Sequence, residues 1–260
     1  MQALKRLLKP SKPLPKTFES FEEAAIACNE SYENKDIVEV VKLKTLAYQK
    51  KLKTLPVVEM GFIPLLFALQ KASRNNLNLK VLDFGGACGL HYFIAQTFLP
   101  DLDLDWYVVE TPSMVEIAQT FASNRLNFSS SIEEAKNRQQ QADLVIASGS
   151  LQFTPDPYQA LRSLIDCQPK AIFITRTALT QDKEFATIQR TKLSENGPGL
   201  LPEGISDRWI EYPVFFAQQK KFEEVLQANY KIELRLDEGL SPYPFYDLPV
   251  FAYGYYCDDQ

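Results

Sequence analysis

The chain has 260 residues, 45% of them hydrophobic and 12% aromatic, which is ample for one large packed core. A formal charge of −5 argues against a general nucleic-acid binder, which would carry a basic face. Four scattered cysteines (Cys28, Cys88, Cys167, Cys257) show no C-x-x-C spacing, so neither a metal site nor a disulfide framework is indicated, and a reduced cytoplasmic setting is expected.

The charge is uneven, with 11 Lys/Arg against 7 Asp/Glu in residues 1–54. Residues 1–9 can form a short amphipathic helix, with Leu4, Leu7 and Leu8 opposite Lys5, Arg6 and Lys9. It would either rest on an anionic membrane or fray as a tail. Pro10, Pro13 and Pro15 follow where a secretory signal would be apolar. The most apolar stretch, 60–69, is too short to span a bilayer, so no stable membrane insertion is expected.

Ser20-Phe21-Glu22-Glu23 has capping-box form and predicts a helix start. A second helix runs from Asp36, with Ile37, Val40, Leu43 and Ala47 along one face. A third covers much of 57–73, with Pro64 at its start or at a kink. Strands then follow near 79–84, 105–110, 126–128, 143–147 and 170–175, with helices between most of them. Such alternation implies a parallel sheet covered on both faces, with ligands bound beyond the carboxyl ends of its strands. Residues 178–215 break the pattern: they are polar and turn-rich, with Gly197-Pro198-Gly199 and Pro202-Glu203-Gly204. They predict a long ordered loop serving as a substrate-side lid. A helix at 217–228 and an antiparallel pair at 231–236 and 250–257 close the chain.

The informative stretch is Val81-Leu82-Asp83-Phe84-Gly85-Gly86-Ala87-Cys88-Gly89, an apolar run ending in an acid and then a glycine loop. Glu110 stands 21 residues past Gly89, at the end of the next strand, where a carboxylate can take both hydroxyls of a ribose. These features point to an adenosine-containing ligand. A dinucleotide fingerprint would need G-x-G-x-x-G, and Ala87 and Leu90 occupy two of its glycine positions. A P-loop fails as well, because no Gly-Lys-Ser/Thr follows.

Asp83, Gly85 and Gly89, as D-x-G-x-x-x-G, resemble motif I of class I S-adenosylmethionine-dependent methyltransferases, with Ala87 where a middle glycine is usual. Over roughly residues 20–256, the 81–89 run, Val108-Val109-Glu110, Ser130-Ser131-Ile132-Glu133-Glu134-Ala135 and Leu151-Gln152-Phe153 resemble one bacterial family of methyltransferases of undefined substrate. The resemblance implies a Rossmann-like three-layer α/β sandwich over 79–260. Its seven-stranded sheet would be mostly parallel with the last strand antiparallel, and residues 1–78 would form a helical cap. It implies S-adenosylmethionine as cofactor. Asp83, Gly85, Gly86 and Gly89 would hold its tail and sugar, and Glu110 its ribose. Ser130 and Ser131 would reach the adenine or cap a helix, and Ser148 would stand at the fourth strand's end.

His91, the single histidine, follows Gly89 by two residues and is a candidate general base, cofactor contact or local packing group. Tyr92, Gln152, Arg176 and Trp209 are candidates for the acceptor side. Arg176 would clamp an anion bidentately or pair with an acid such as Asp156. No Asn/Asp-Pro-Pro-Tyr follows the fourth strand, which favours O-methylation of a small-molecule or glycan-linked acceptor. A module that binds the cofactor without catalysis is the alternative.

Overall fold

The computed structural model describes residues 16–240 and 250–259; the helix expected over residues 1–9 lies outside them. Strand β1 (Thr17–Phe18) leads into α1 (Phe21–Ala27), capped by Ser20 Oγ, which accepts from Glu23 N at 3.2 Å. Asn34 Oδ1 caps α2 (Lys35–Thr54) by accepting from Asp36 N at 2.9 Å. Helix α3 (Ile63–Ala72) has Pro64 in its first turn, where the missing N–H costs nothing, so the proline starts the helix rather than kinking it.

Alternation follows as expected: β2 (Asn78–Phe84), α4 (Leu90–Phe98), β3 (Asp103–Val109), α5 (Pro112–Ala118), β4 (Leu126–Ser129), α6 (Ile132–Gln139), β5 (Leu144–Ser148), α7 (Pro157–Ile165) and β6 (Ala171–Thr180). After β6 come β7 (Phe185–Lys192), β8 (Trp209–Gln218), α8 (Gln219–Gln227), β9 (Tyr230–Leu240) and β10 (Val250–Asp259). Strands β4, β3, β2, β5 and β6 lie parallel in that order, and β10 runs antiparallel between β6 and β9. These seven strands make the expected Rossmann-like α/β sandwich. Three more strands extend it. β8 adds in parallel to the tip of β6 through Leu179 and Thr180, β7 pairs antiparallel with β8, and β1 pairs with β7.

That extension corrects the reading of 178–215 as one long loop. The turn-rich stretch at 197–204 is irregular, but β7 and β8 flank it. Most of their polar residues are exposed or half-exposed, but Thr187 is buried beside Phe185 and Ala186, and only β8 alternates plainly through Ile210, Tyr212 and Val214, so the strand signal is broken. β1 also joins this extension, so the N-terminal segment and the 178–215 region share a sheet edge.

Successive residues of the buried strands face opposite layers. Val81, Trp106, Ile146 and Phe173 pack beneath α2 to α5, while Leu82, Tyr107, Val145 and Ile172 pack against the layer holding α7 and α8. Among the described residues no helix is long and apolar enough to cross a membrane.

Candidate functional site

Beyond the carboxyl ends of β2, β3, β5 and β6 lie two adjoining cavities of about 630 and 650 Å³. The first is lined by Phe84, Glu110, Thr111, Ser130, Ile132 and Ser150. The second is lined by Gly86, Ala87, His91, Ser148, Gln152 and Arg176, with roofing from α2 and the 195–199 turn. Gly85, Gly149, Tyr32 and Phe153 border both. The rings of Tyr32 and Phe153 stack with centroids 5.5 Å apart, so they form part of the partition.

The glycine loop is shaped by what lies against it. Gly85 has φ +74°, and a Cβ there would collide with Ser150, whose Oγ donates to Phe84 O at 2.8 Å. A Cβ on Gly86 would strike the carboxylate of Asp83. Gly89 opens α4 in the left-handed region, φ +75°. Ala87 also sits there at φ +49°, at a cost of about 1 kcal/mol for an L-residue. Its amide donates to Glu110 Oε1 at 3.2 Å.

Glu110 is therefore tied to the loop across the ends of two neighbouring strands. Its Oε2 accepts from Thr111 N at 2.8 Å, and among the described residues no cation pairs with it. Burial pushes its carboxyl up to about 7, against the two amides that favour the charged form. A carboxylate lining a cavity without a counter-ion suits a ligand that brings hydroxyl donors. Thr111 Oγ1 beside it is buried and also lacks a partner.

Asp83 has a different place from the one expected. It is fully buried, lines neither cavity, and accepts from Trp106 Nε1 at 3.2 Å while holding His91 Nδ1 at 3.0 Å. Its carboxylate lies directly against Gly86 and so braces the underside of the glycine loop. His91, thus held, lines the second cavity, and its Nε2 has no hydrogen-bond partner among the described residues. Phe62 packs edge-on against its ring at 6.2 Å.

Ser130 lines the first cavity, whereas Ser131 is spent as the cap of α6, its Oγ accepting from Glu134 N at 3.2 Å. Ser148 lines the second and accepts from Arg176 Nε at 3.1 Å. Arg176 and Gln152 line it too, and Gln152 Nε2 donates to Arg176 O at 3.3 Å. Asp156 does not pair with Arg176, because its carboxylate caps α7.

Tyr92 and Trp209, expected on the acceptor side, line neither cavity. Tyr92 is one residue round the helix from His91, and that rotation buries its ring against Phe93 and Trp106, with its hydroxyl taking Gln96 Nε2 at 2.7 Å. Trp209 is 50% exposed at the start of β8, under the cations of Arg190 and Lys192, and lines neither cavity.

Reading the sequence missed Tyr32, Ser150 and Tyr212. Ser150 is legible in hindsight, because Gly149-Ser150 follows a strand end at the height of the glycine loop. Tyr32 and Tyr212 carry no local pattern. They meet ring to ring at 5.2 Å because Arg208 fastens the α1–α2 connection to β8, donating to Glu30 at 2.8 Å and to Asp36 at 2.8 Å.

No family model matches the chain, and no curated protein matches it. Among solved structures it is similar to the [4+2]-cyclase SpnF, at 14% identity and a TM-score of 0.53, over 95% of this chain and 98% of that one. It is also similar to an S-adenosylmethionine-dependent methyltransferase from Clostridium acetobutylicum, at 11% identity and a TM-score of 0.48, over 83% and 98% of the two chains. A third is the 1,6-didemethyltoxoflavin-N1-methyltransferase of Burkholderia thailandensis, at 15% identity and a TM-score of 0.43, over 85% and 88%. The chain has the Rossmann-like fold of class I methyltransferases, and identities this low speak to fold alone.

Proposed function

We propose that the protein transfers a methyl group from S-adenosylmethionine to a small-molecule or glycan-linked acceptor, with a hydroxyl preferred over an amine. The observation that carries this reading is Glu110: a carboxyl without a counter-ion that lines a cavity and accepts from the amide of Ala87 in the glycine loop. Glu110 would take the ribose hydroxyls, Ser130 would stand at the adenine end, and Gly85 and Gly86 would let the tail pass into the second cavity. When bound, S-adenosylmethionine supplies an electrophilic methyl carbon: the acceptor's lone pair forms the new bond, and the C–S electron pair stays on sulfur as S-adenosylhomocysteine.

The chain's own work is then positioning, exclusion of water and one proton. Tyr32, Phe62, Phe153 and Tyr212 give the second cavity aromatic walls. Asp83 engages His91 Nδ1, which leaves Nε2 to take the proton that an acceptor hydroxyl releases. The absence of Asn/Asp-Pro-Pro-Tyr after β5 supports the preference for oxygen.

Calorimetric titration with S-adenosylhomocysteine tests the cofactor assignment. Glu110→Ala removes two charge-assisted hydrogen bonds and should weaken binding about tenfold or more. Equal affinity in the variant would refute the role. A second reading, binding without methyl transfer, deserves a test because a [4+2]-cyclase shares this fold over nearly the whole chain. Tight cofactor binding with no labelled methyl reaching any acceptor would favour it.

A further inference from the structure

The second cavity contains a fixed cation without an acid. Arg176 sits at the bend of β6, in the left-handed region at φ +53°, an unusual conformation for a long side chain. Glu238 holds it there, accepting from Arg176 N and from Thr175 Oγ1. The guanidinium folds back over Gly149 and docks on Ser148, with Nε donating to Oγ and Nη2 to the carbonyl oxygen, both at 3.1 Å. Gly149 lies beneath it in the left-handed region at φ +64°, where glycine carries no Cβ penalty, and a Cβ there would only touch Nη2, at 3.4 Å. Among the described residues, Nη1 has no partner and no carboxylate pairs with Arg176.

The carboxylates that line the same cavity are occupied elsewhere. Glu238 is committed to the bend, Glu195 accepts from Lys192 N at 3.0 Å, and Glu59 lies 3.9 Å from Lys51 Nζ. His91 is tied to Asp83. Two neutral acceptors also line this cavity. Gln152 is 3% exposed; its Nε2 is spent on Arg176 O, which fixes the amide's orientation, and its Oε1 is buried with no partner. Gln189 repeats the arrangement, giving Nε2 to Tyr212 Oη at 3.2 Å and leaving Oε1 unpaired. A buried acceptor left unpaired is costly, and a ligand donor would relieve it.

Resting on the methyl-transfer reading, we propose that the acceptor is an anion whose carboxylate or phosphate seats on Arg176 while its hydroxyl or amine hydrogens are taken by Gln152 and Gln189. The anionic group is the handle and not the methylated atom. The nucleophilic oxygen or nitrogen forms the bond to the methyl carbon, its proton leaves to His91 or water, and the charge on the handle is unchanged. The product is therefore still an anion.

The test uses the full chain, methyl-labelled S-adenosylmethionine and a small-molecule extract of the source cells, followed by anion exchange at neutral pH. Labelled product should be retained on the exchanger, separate from the cationic methyl donor. Phosphatase treatment then sorts the two sources: release identifies a phosphate, continued retention a carboxylate. Arg176→Gln should raise the acceptor KM about tenfold or more while leaving S-adenosylhomocysteine affinity unchanged, and Arg176→Lys should recover part of the loss. Label in a neutral or cationic fraction, or an unaltered KM in Arg176→Gln, overturns the inference and leaves methyl transfer standing. Cofactor binding without any labelled product overturns the methyl-transfer reading and this inference together.

Discussion

The first cavity draws most of its walls from the ends of β2, β3 and β4, from α6 and from the turn after β5, each supplying neighbours within a few residues of a strand tip. The second needs α2, the 59–62 stretch, the 195–199 turn, the bend of β6 and the end of β9, brought together from across the chain. The difference teaches where each property is stored. A backbone cradle that is part of a strand–helix connection cannot change without disturbing the sheet. A chamber assembled from a cap and an edge extension can change its contents while the sheet stays intact. Substitutions in the glycine loop should therefore cost stability and cofactor binding together, and those in the cap and the edge extension should leave cofactor binding intact.

The largest effect should come from Gly86→Ala, which drives a methyl group into the buried Asp83 carboxylate. A loss of about 2–4 kcal/mol in urea unfolding is expected, together with lost S-adenosylhomocysteine binding. A variant of normal stability and affinity would mean that the loop has slack, and the contrast between the regions would fail.

Next is Lys44, a buried cation on α2 that donates to Ser194 O at 2.6 Å and Gly197 O at 3.4 Å, with its ammonium pKa lowered by burial. It fastens the 193–199 stretch over the second cavity. Lys44→Met should cost about 1–3 kcal/mol, because two carbonyls lose their donor. It should also speed proteolysis within 193–208 and leave cofactor affinity unchanged. Weakened cofactor binding would show that the two regions are coupled.

Glu110 gives a pH signature. The folded carboxyl titrates near 7 against an ordinary 4.5, so between those values the folded state holds the extra proton. Stability without ligand should fall as pH rises from about 4.5 to 7 and level off above. Glu110→Gln should remove that slope and stabilise the protein by roughly 1–2 kcal/mol at pH 8, after allowance for partial exposure of the carboxyl to the cavity. Parallel denaturation curves at pH 5 and 8 would test this, and an identical slope in both proteins would contradict it. The smallest effect belongs to Trp209→Ala, expected to stay within about 0.5 kcal/mol with methyl transfer unaffected. An altered acceptor KM there would return Trp209 to the site.

What the sequence disclosed follows the same division. The glycine loop, Glu110 and the alternating strands were legible because their constraints are local: positive φ at Gly85 and Gly89, and apolar runs with a period fixed by strand geometry. Asp83 was visible as a residue, but not its direction, since one carboxylate at a strand tip reads like another until Trp106 and His91 are seen to surround it. Tyr92 failed for a related reason: neighbouring residues in a helix face directions about 100° apart. The strands β7 and β8 were hidden by polar residues on their exposed face and by the glycines and prolines of 197–204. Arg176 was found as the residue after an expected strand end at 175, but β6 runs on to Thr180 through a bend that depends on Glu238, 62 residues after Arg176.

The most direct measurement is the affinity for S-adenosylhomocysteine across pH 5.5 to 8.5 in the wild-type protein and in Glu110→Gln. An ionised carboxylate accepts ribose hydroxyls more strongly than a neutral one, so wild-type affinity should rise as pH passes through about 7 and the variant's should stay low and flat. Superimposable curves, or no binding by the wild-type protein at any pH, would contradict the assignment of this pocket to an adenosine cofactor gripped by Glu110.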